Sequence, residues 1–326
     1  MNFLVKEAIL SQEKDRIITF LKTFALNYEK NNNLSLYIEQ DEEIIATVSA
    51  ADYIIKDLAI AKAYQSKNLA NYLLSCLFQK LAAKGIVYYQ VYTKPEYKKM
   101  FLELNFSEII TVSQTCLLET KNFSIRNELY KLKESYHINT CDNGVIVVNA
   151  NPFTNGHLYL IEQAAKNHEK LIVFVLEEDQ SYFRFSERFL LVQRGTAHLG
   201  NVVVVPSTKY IISSLTFPTY FLKEDVDQVR EQAFVDAQIF VTYFMPIFNI
   251  SKRYVGSEID PVTAKYNVVL KQVLGSRLIQ INRKEIAGQP ISASLVRTYY
   301  QTREFMKIAP LVPPTTLAYL KEKHHE

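Results

Sequence analysis

The 326 residues predict an α/β chain of two domains, an α+β domain followed by one built on a parallel sheet. Three observations carry that expectation. The length exceeds what one ordinary hydrophobic core serves, and 48% apolar with 22% charged residues is a globular composition. A polar stretch, Glu134–Gly144, separates two blocks with different apolar patterning. Beyond it, buried strands alternate with amphipathic helices, as parallel strands covered on both faces require. The expected division is 1–136, a linker at 137–143, and 144–326.

In the first block Leu34–Glu39 and Glu43–Ala50 read as a hairpin around Gln40–Glu42, and Tyr53–Ile60 as a third strand. Ser66–Lys84 has helical periodicity, with Leu69, Tyr72, Leu73, Cys76, Leu77 and Leu81 on one face, and Gly85 ends it. Val87–Thr93 is β-branched and aromatic, hence a strand. Pro95 opens a short helix to Leu104, and Phe106–Thr111 and Gln114–Glu119 close the block as strands. In the second block Gly144–Asn149, Leu171–Leu176 and Asn201–Pro206 read as strands, with helices at His157–Asn167 and Ser186–His198 between them. Ligands of such sheets bind beyond the carboxyl ends of the strands.

A net charge of +3 with scattered lysines and arginines gives no case for a nucleic-acid partner. Three widely spaced cysteines fit a reducing, cytoplasmic compartment. Charges from Lys6 to Arg16 interrupt any signal-like run, and apolar Phe240–Ile250 is too short to span a bilayer and contains Pro246. A membrane partner is therefore not expected.

The informative segment is Gly144–Ile161, where a buried strand meets a tight turn that opens a helix. Thr154 and His157 are one helical turn apart and can face one ligand. Gly156 leaves room for backbone N–H groups to approach a phosphate, and the helix N-terminus adds partial positive charge. A histidine there can hydrogen-bond phosphate and stabilise a departing pyrophosphate. An ordinary strand–turn–helix connection with a threonine cap uses the same residue types. Far downstream, in Ile291–Arg297, Ser292 or Ser294 can cap a helix and donate to phosphate oxygens, and Arg297 offers a forked cation. No side-chain cage for a metal, Walker loop or GxGxxG is evident.

Together, Thr154-Asn155-Gly156-His157 and Ile291-Ser292-Ala293-Ser294-Leu295-Val296-Arg297 resemble the two signatures of the nucleotidyltransferase superfamily, with Ala293 and Ser294 standing for a serine and a threonine. The resemblance implies a Rossmann-like domain. It assigns His157 to the phosphates around the α–β bond, and Ser292, Ser294 and Arg297 to the outer phosphates. His157, Thr154 and Arg297 are the expected catalytic residues. Asn149, Ala150, Asn151, Pro152, Phe153, Gly156, Ser292 and Ser294 are expected to bind nucleotide. So are Arg184 and Arg188, which flank the loop after the second strand and equally suit a solvated loop and helix face, and Gly256. Lys252 and Arg253, ahead of the Val255-Gly256 turn, are weaker candidates, and Glu177-Glu178-Asp179 reads as a solvated acidic loop.

Longer blocks narrow the resemblance. Asn149–His157, Leu176–Arg188, Tyr210–Phe221 (YIISSLTFPTYF), Arg253–Asn267 and Pro290–Arg297 are similar, in order and spacing, to the citrate lyase ligase family. That resemblance implies ATP, with magnesium carried on the triphosphate, and acetate as substrates. It implies the acyl carrier subunit of citrate lyase, with its dephospho-CoA-derived prosthetic group, as partner. The thiol of that group would be acetylated through acetyl adenylate, with AMP and pyrophosphate released. It also implies a GNAT-type, acetyltransferase-like first domain. That fold cradles pyrophosphate at a strand-to-helix junction, here Gln65–Ala70, where Asn68 replaces the central glycine; asparagine is the best substitute for left-handed backbone. This domain is expected to hold the pantetheine-like arm of the carrier. Tyr97 reads as an acid of that fold or, more simply, as core filler. His137, His168, His198, His324 and His325 read as surface or helix-end residues. The alternative activities are AMP transfer onto a phosphorylated small molecule such as a pantetheine phosphate, small-molecule acetyl transfer, and non-catalytic binding of the carrier.

Overall fold

A computed structural model describes residues 3–177, 181–213, 216–223, 226–258 and 260–324. The chain forms two compact units, Met1–Ser124 with Pro218–Glu231, and Ile125–Phe217 with Gln232–Glu326. Ile125–Ser135 thus belongs to the second unit, ahead of the expected linker at 137–143, and a later segment returns to the first unit.

The first unit is a mixed α+β domain. Its elements are β1 (Val5–Glu7), α1 (Ser11–Lys22), β2 (Leu34–Gln40), β3 (Glu43–Ala51), β4 (Ile54–Ile60), α2 (Leu69–Ala82), β5 (Gln90–Thr93), α3 (Lys98–Glu103), β6 (Phe106–Thr111) and β7 (Cys116–Thr120). The seven strands lie in the order β1-β2-β3-β4-β5-β7-β6. Asp41 and Glu42, both at positive φ, make the two-residue turn of the expected hairpin, whose primed geometry matches strand twist. α2 buries Leu69, Leu73, Leu74, Leu77 and Leu81 against the sheet. Tyr72, expected on that face, is exposed and Leu74 takes its place. Val87–Tyr89 fall outside β5. Asn68 adopts the left-handed conformation, φ 55°, at the start of α2, as the sequence suggested. Tyr97 is 48% exposed, which overturns its reading as core filler.

β4 and β5 are the parallel pair of this sheet, and they pair only at Ile54–Gln90 and Ile55–Val91. Beyond those rows Tyr220 from the returning segment intervenes. It is buried, its hydroxyl donates to the Tyr92 carbonyl of β5 at 2.7 Å, and its own carbonyl accepts from Asn27 N–H at 3.0 Å. Burial and the carboxylates of Asp57, on β4, and Glu29 hold the Tyr220 phenol far above its ordinary pKa. Thr219 adds two hydrogen bonds to Glu29. The chain's own tyrosine therefore lies against β5 where the two strands have ceased to pair.

The second unit has the expected parallel, Rossmann-like sheet. Its elements are α4 (Ile125–Ser135), β8 (Asn143–Val148), α5 (Asn155–Ala165), β9 (Lys170–Val175), α6 (Phe185–Thr196), β10 (Val202–Pro206), α7 (Gln228–Ile239, whose first turn counts with the first unit), α8 (Met245–Ile247), β11 (Ile250–Gly256), α9 (Pro261–Leu274) and β12 (Leu278–Ile281). A small hairpin of β13 (Glu285–Ile286) and β14 (Gln289–Pro290) precedes α10 (Ala293–Gln301), α11 (Phe305–Ile308) and α12 (Pro314–Lys323). Strand order is β10-β9-β8-β11-β12, all parallel. β9 shows how both faces are covered. Val173 and Val175 join the core under α5 and α6, while Phe174 meets Phe244 and Phe248 at 5.5 Å on the other side. Phe240–Ile250, apolar in sequence, supplies that aromatic wall. Among the described residues no helix is long and apolar enough to cross a membrane.

The order also fixes where a ligand belongs. From β8 the chain moves to β9 and β10 on one side, then to β11 and β12 on the other. The carboxyl ends of β8 and β11 therefore flank the topological switch point, where open parallel sheets bind their ligands.

Candidate nucleotide site at the switch point

β8 ends in the turn Asn149–Phe153, which contains a cis Asn151-Pro152 bond and Ala150 at φ 52°. Thr154 then caps α5. Its hydroxyl accepts the His157 N–H at 3.4 Å, and the His157 ring folds back onto it. Nδ1 of His157 lies 3.1 Å from the Thr154 N–H and 2.9 Å from the Thr154 hydroxyl. A backbone N–H can only donate, so Nδ1 keeps its lone pair and the ring proton sits on Nε2. Burial, with Arg283 adding to it, pushes the His157 pKa down to about 4. His157 is therefore a neutral Nε2–H donor near pH 7. Stacking on Phe153, centroids 5.9 Å apart, fixes the ring plane.

Gly156 brings the two sequence motifs together. A Cβ built there would lie 3.5 Å from both the Cβ and the carbonyl oxygen of Ile291, the first residue of the downstream motif. Those are ordinary contacts, and Gly156 does not have a positive φ, so packing alone does not demand glycine. Its N–H has no acceptor among the described residues. Ser292 caps α10 by accepting the Ser294 N–H at 3.2 Å. The Arg297 guanidinium donates to the Asn151 carbonyl and, at 2.9 Å, to the Ser294 hydroxyl. Thus Thr154, Gly156, His157, Ser292, Ser294 and Arg297 converge at one end of the sheet. The Asn155 N–H and side chain instead hold the Leu311 and Pro310 carbonyls, fastening the C-terminal segment.

Arg188, expected to bind nucleotide and equally suited to a solvated helix face, points inward. It is fully buried, donating from Nε to the Phe183 carbonyl at 3.0 Å and from Nη1 to the Asn149 carbonyl and side chain at 2.8 and 2.7 Å. It braces the turn from behind. Ser181 bonds Asn149 at 3.1 Å, and the Asn151 side chain accepts the Phe183 N–H at 3.1 Å, tying the same turn to the loop ahead of α6. Arg184 caps α6 and is exposed. Gly195 on α6 admits the Phe153 ring, whose atoms would lie 2.4 Å from an added Cβ.

Across the switch point Gly256 ends β11, and its carbonyl accepts from Asn267 at 3.2 Å. Arg253 is buried, pairing with Asp236 at 3.4 Å, bonding Tyr266 and covering the Phe240 ring at 4.4 Å, so it faces the interior. Lys252 donates to the Ser276 carbonyl at 3.0 Å. His168 is not a surface residue, since its side chain is 4% exposed and bonds the Tyr254 hydroxyl at 2.9 Å. Glu177 is exposed; Glu178, Asp179 and His325 lie outside the described residues, as do Ser214, Leu215 and Ile259 of the longer blocks. Sequence reasoning missed Ser181, Gly195 and Arg283. Their importance lies in contacts across the sheet, and no local spacing announces it.

The model of the citrate lyase ligase C-terminal domain matches residues 143–320. A citrate (pro-3S)-lyase ligase from Escherichia coli strain K12 is 35% identical over 315 residues, 94% of this chain and 89% of that protein. One from Klebsiella pneumoniae is 32% identical over 99% of this chain and 97% of its own length. A phosphopantetheine adenylyltransferase from Nautilia profundicola is 25% identical over 143 residues, 40% of this chain and 91% of that protein.

Proposed function

We propose, from the premise that the chain belongs to the citrate lyase ligase family, that it activates acetate with ATP and passes the acetyl group to a thiol on the acyl carrier subunit of citrate lyase. One observation carries the assignment of the site. The His157 Nε2–H, the Gly156 N–H and the Ser294–Arg297 pair converge at the switch point, where open parallel sheets in general bind ligands. That set suits a polyphosphate, with neutral donors at one bond and a forked cation beyond it.

In the first step an acetate oxygen attacks the α-phosphorus. The bond from that phosphorus to the bridging oxygen breaks, and pyrophosphate leaves with the electron pair. His157 donates from Nε2 to the phosphates around that bond, while Arg297 and the serines hold the outer phosphates. Magnesium, arriving on the triphosphate, would offset its negative charge. In the second step the carrier thiol, losing its proton, attacks the acetyl carbonyl, and AMP leaves. The residues chiefly position reactants and stabilise the departing charge. Asn149, Ala150, Asn151, Pro152 and Phe153 shape the turn beneath the phosphates. Arg188 acts through that turn, and Arg184, at the start of α6, and Gly256, at the end of β11, are the remaining candidates for nucleotide contact.

The reading is tested by ATP–pyrophosphate isotope exchange in the purified protein with magnesium, with and without acetate. Exchange that depends on acetate supports it. No exchange in a protein that still binds ATP would favour AMP transfer to a phosphorylated acceptor, the activity named for the adenylyltransferase relative, or a first step that needs the carrier.

Gly156 offers a second test. Alanine at a first-turn helix position without positive φ should leave stability unchanged or raise it by up to about 1 kcal/mol. If the Gly156 N–H receives a phosphate, the same variant should weaken ATP binding by roughly tenfold through crowding. Calorimetric melting and ATP titration separate the two effects, and unchanged ATP affinity would remove Gly156 from the site.

A further inference from the structure

We propose that Arg283 is a further phosphate-binding residue of this site, reaching it from the β12 side of the switch point and exchanging Glu258 for the β- and γ-phosphates of ATP. The proposal rests on the reading that the crevice takes ATP. Arg283 lies two residues beyond the end of β12. Its N–H donates to the Ser257 hydroxyl at 3.0 Å and its Nε to the Ser257 carbonyl at 2.6 Å. Its Cγ is 3.9 Å from where a Gly256 Cβ would stand. The side chain is therefore laid across the carboxyl end of β11, on the side of the switch point opposite α5. The remaining arm of the guanidinium is paired with the half-buried Glu258 carboxylate.

The guanidinium is thus held at Nε by a backbone carbonyl that a ligand need not disturb, while its outer edge sits on a carboxylate that a phosphate can replace. Phosphate oxygens match that edge as a carboxylate does, with bidentate geometry. The charge is close enough to His157 to add to the depression of that ring's pKa. A cation at the end of β11 and a neutral N–H donor at the start of α5, on the two sides of the switch point, suit an anion between them. Arg297 approaches from α10, so the triphosphate would meet guanidinium groups from two sides.

The experiment is calorimetric titration of the full-length protein with Mg–ATP and, separately, with AMP, in wild type, Arg283→Ala, Arg283→Lys and Glu258→Gln. In Arg283→Ala, ATP affinity should fall at least tenfold and AMP affinity by no more than twofold. Lysine should restore part of the loss. Glu258→Gln should bind ATP at least as well as wild type, because the competing carboxylate charge is gone. Wild-type ATP affinity in Arg283→Ala overturns the proposal. So does an equal loss of ATP and AMP with a lowered melting temperature, which marks a structural ion pair. Failure of the wild type itself to bind ATP removes the nucleotide reading, and this assignment with it.

Discussion

Replacing His157 with alanine is expected to lower acetate-dependent ATP–pyrophosphate exchange by on the order of 10²–10³-fold, the usual cost of removing one donor aimed at developing charge. The fold should survive, because the ring belongs to a helix cap and not to a core. Far-UV circular dichroism and melting temperature check that, and exchange within a few-fold of wild type would withdraw His157 from the chemistry. Acid should reveal the same residue. The wild-type ring is neutral above a pKa of about 4, so its own protonation should not shape the rate near pH 6.5, where an ordinary histidine titrates. The linkage has a definite sign. The unfolded ring takes up a proton near pH 6.5 and the folded ring only near 4, so between those values the unfolded state binds more protons. Stability therefore falls as pH drops from 6.5 to 4, by at most about 3 kcal/mol from this group, less whatever the partly exposed ring edge recovers from solvent. In His157→Asn that part of the acid sensitivity should disappear. Urea melts of both proteins at pH 7 and pH 5 measure the difference.

How far the sequence carried this picture depends on the range of the interaction. Hairpin, helix and parallel strands were legible because each is written in a few consecutive residues, as in the turn at Asp41-Glu42 or the left-handed Asn68. The two segments of the proposed site were legible because each lies on one helix start. Their meeting at Gly156 and Ile291 is a product of the sheet order. What failed were inferences from residue type to exposure. His168 sits in the interior, with its ring carbon 2.4 Å from where a Cβ on Gly144 would stand, so that glycine makes its room. Arg253 is neutralised by Asp236, seventeen residues earlier, on a helix the sequence did not disclose. Tyr220 belongs to a block that carried the family resemblance, yet only the register of β4 and β5 shows where it lies.

Arg188→Ala should have the other large effect, and its signature should differ from that of His157→Ala. The guanidinium satisfies the Phe183 carbonyl and both the carbonyl and side-chain oxygen of Asn149 from a fully buried position. Removing it leaves those acceptors in the interior without their charged donor and opens a cavity. The expected cost is on the order of 3 kcal/mol or more, since each hydrogen bond to a charged group contributes about 1.5–3 kcal/mol. Lysine should not rescue it, because a single ammonium cannot reach the acceptors that a planar fork spans. Arg188→Met, which keeps volume without donors, separates packing from hydrogen bonding. If Arg188 acts only through the turn, both variants should lose exchange activity in proportion to disorder of Asn149–Phe153. Hydrogen exchange at Phe183, whose N–H the Asn151 side chain accepts, should rise with that loss. In His157→Ala, by contrast, activity should fall by the factor given above while the Phe183 amide stays protected. An Arg188 variant that melts like wild type yet cannot bind ATP would point to direct contact with the nucleotide and reverse this assignment.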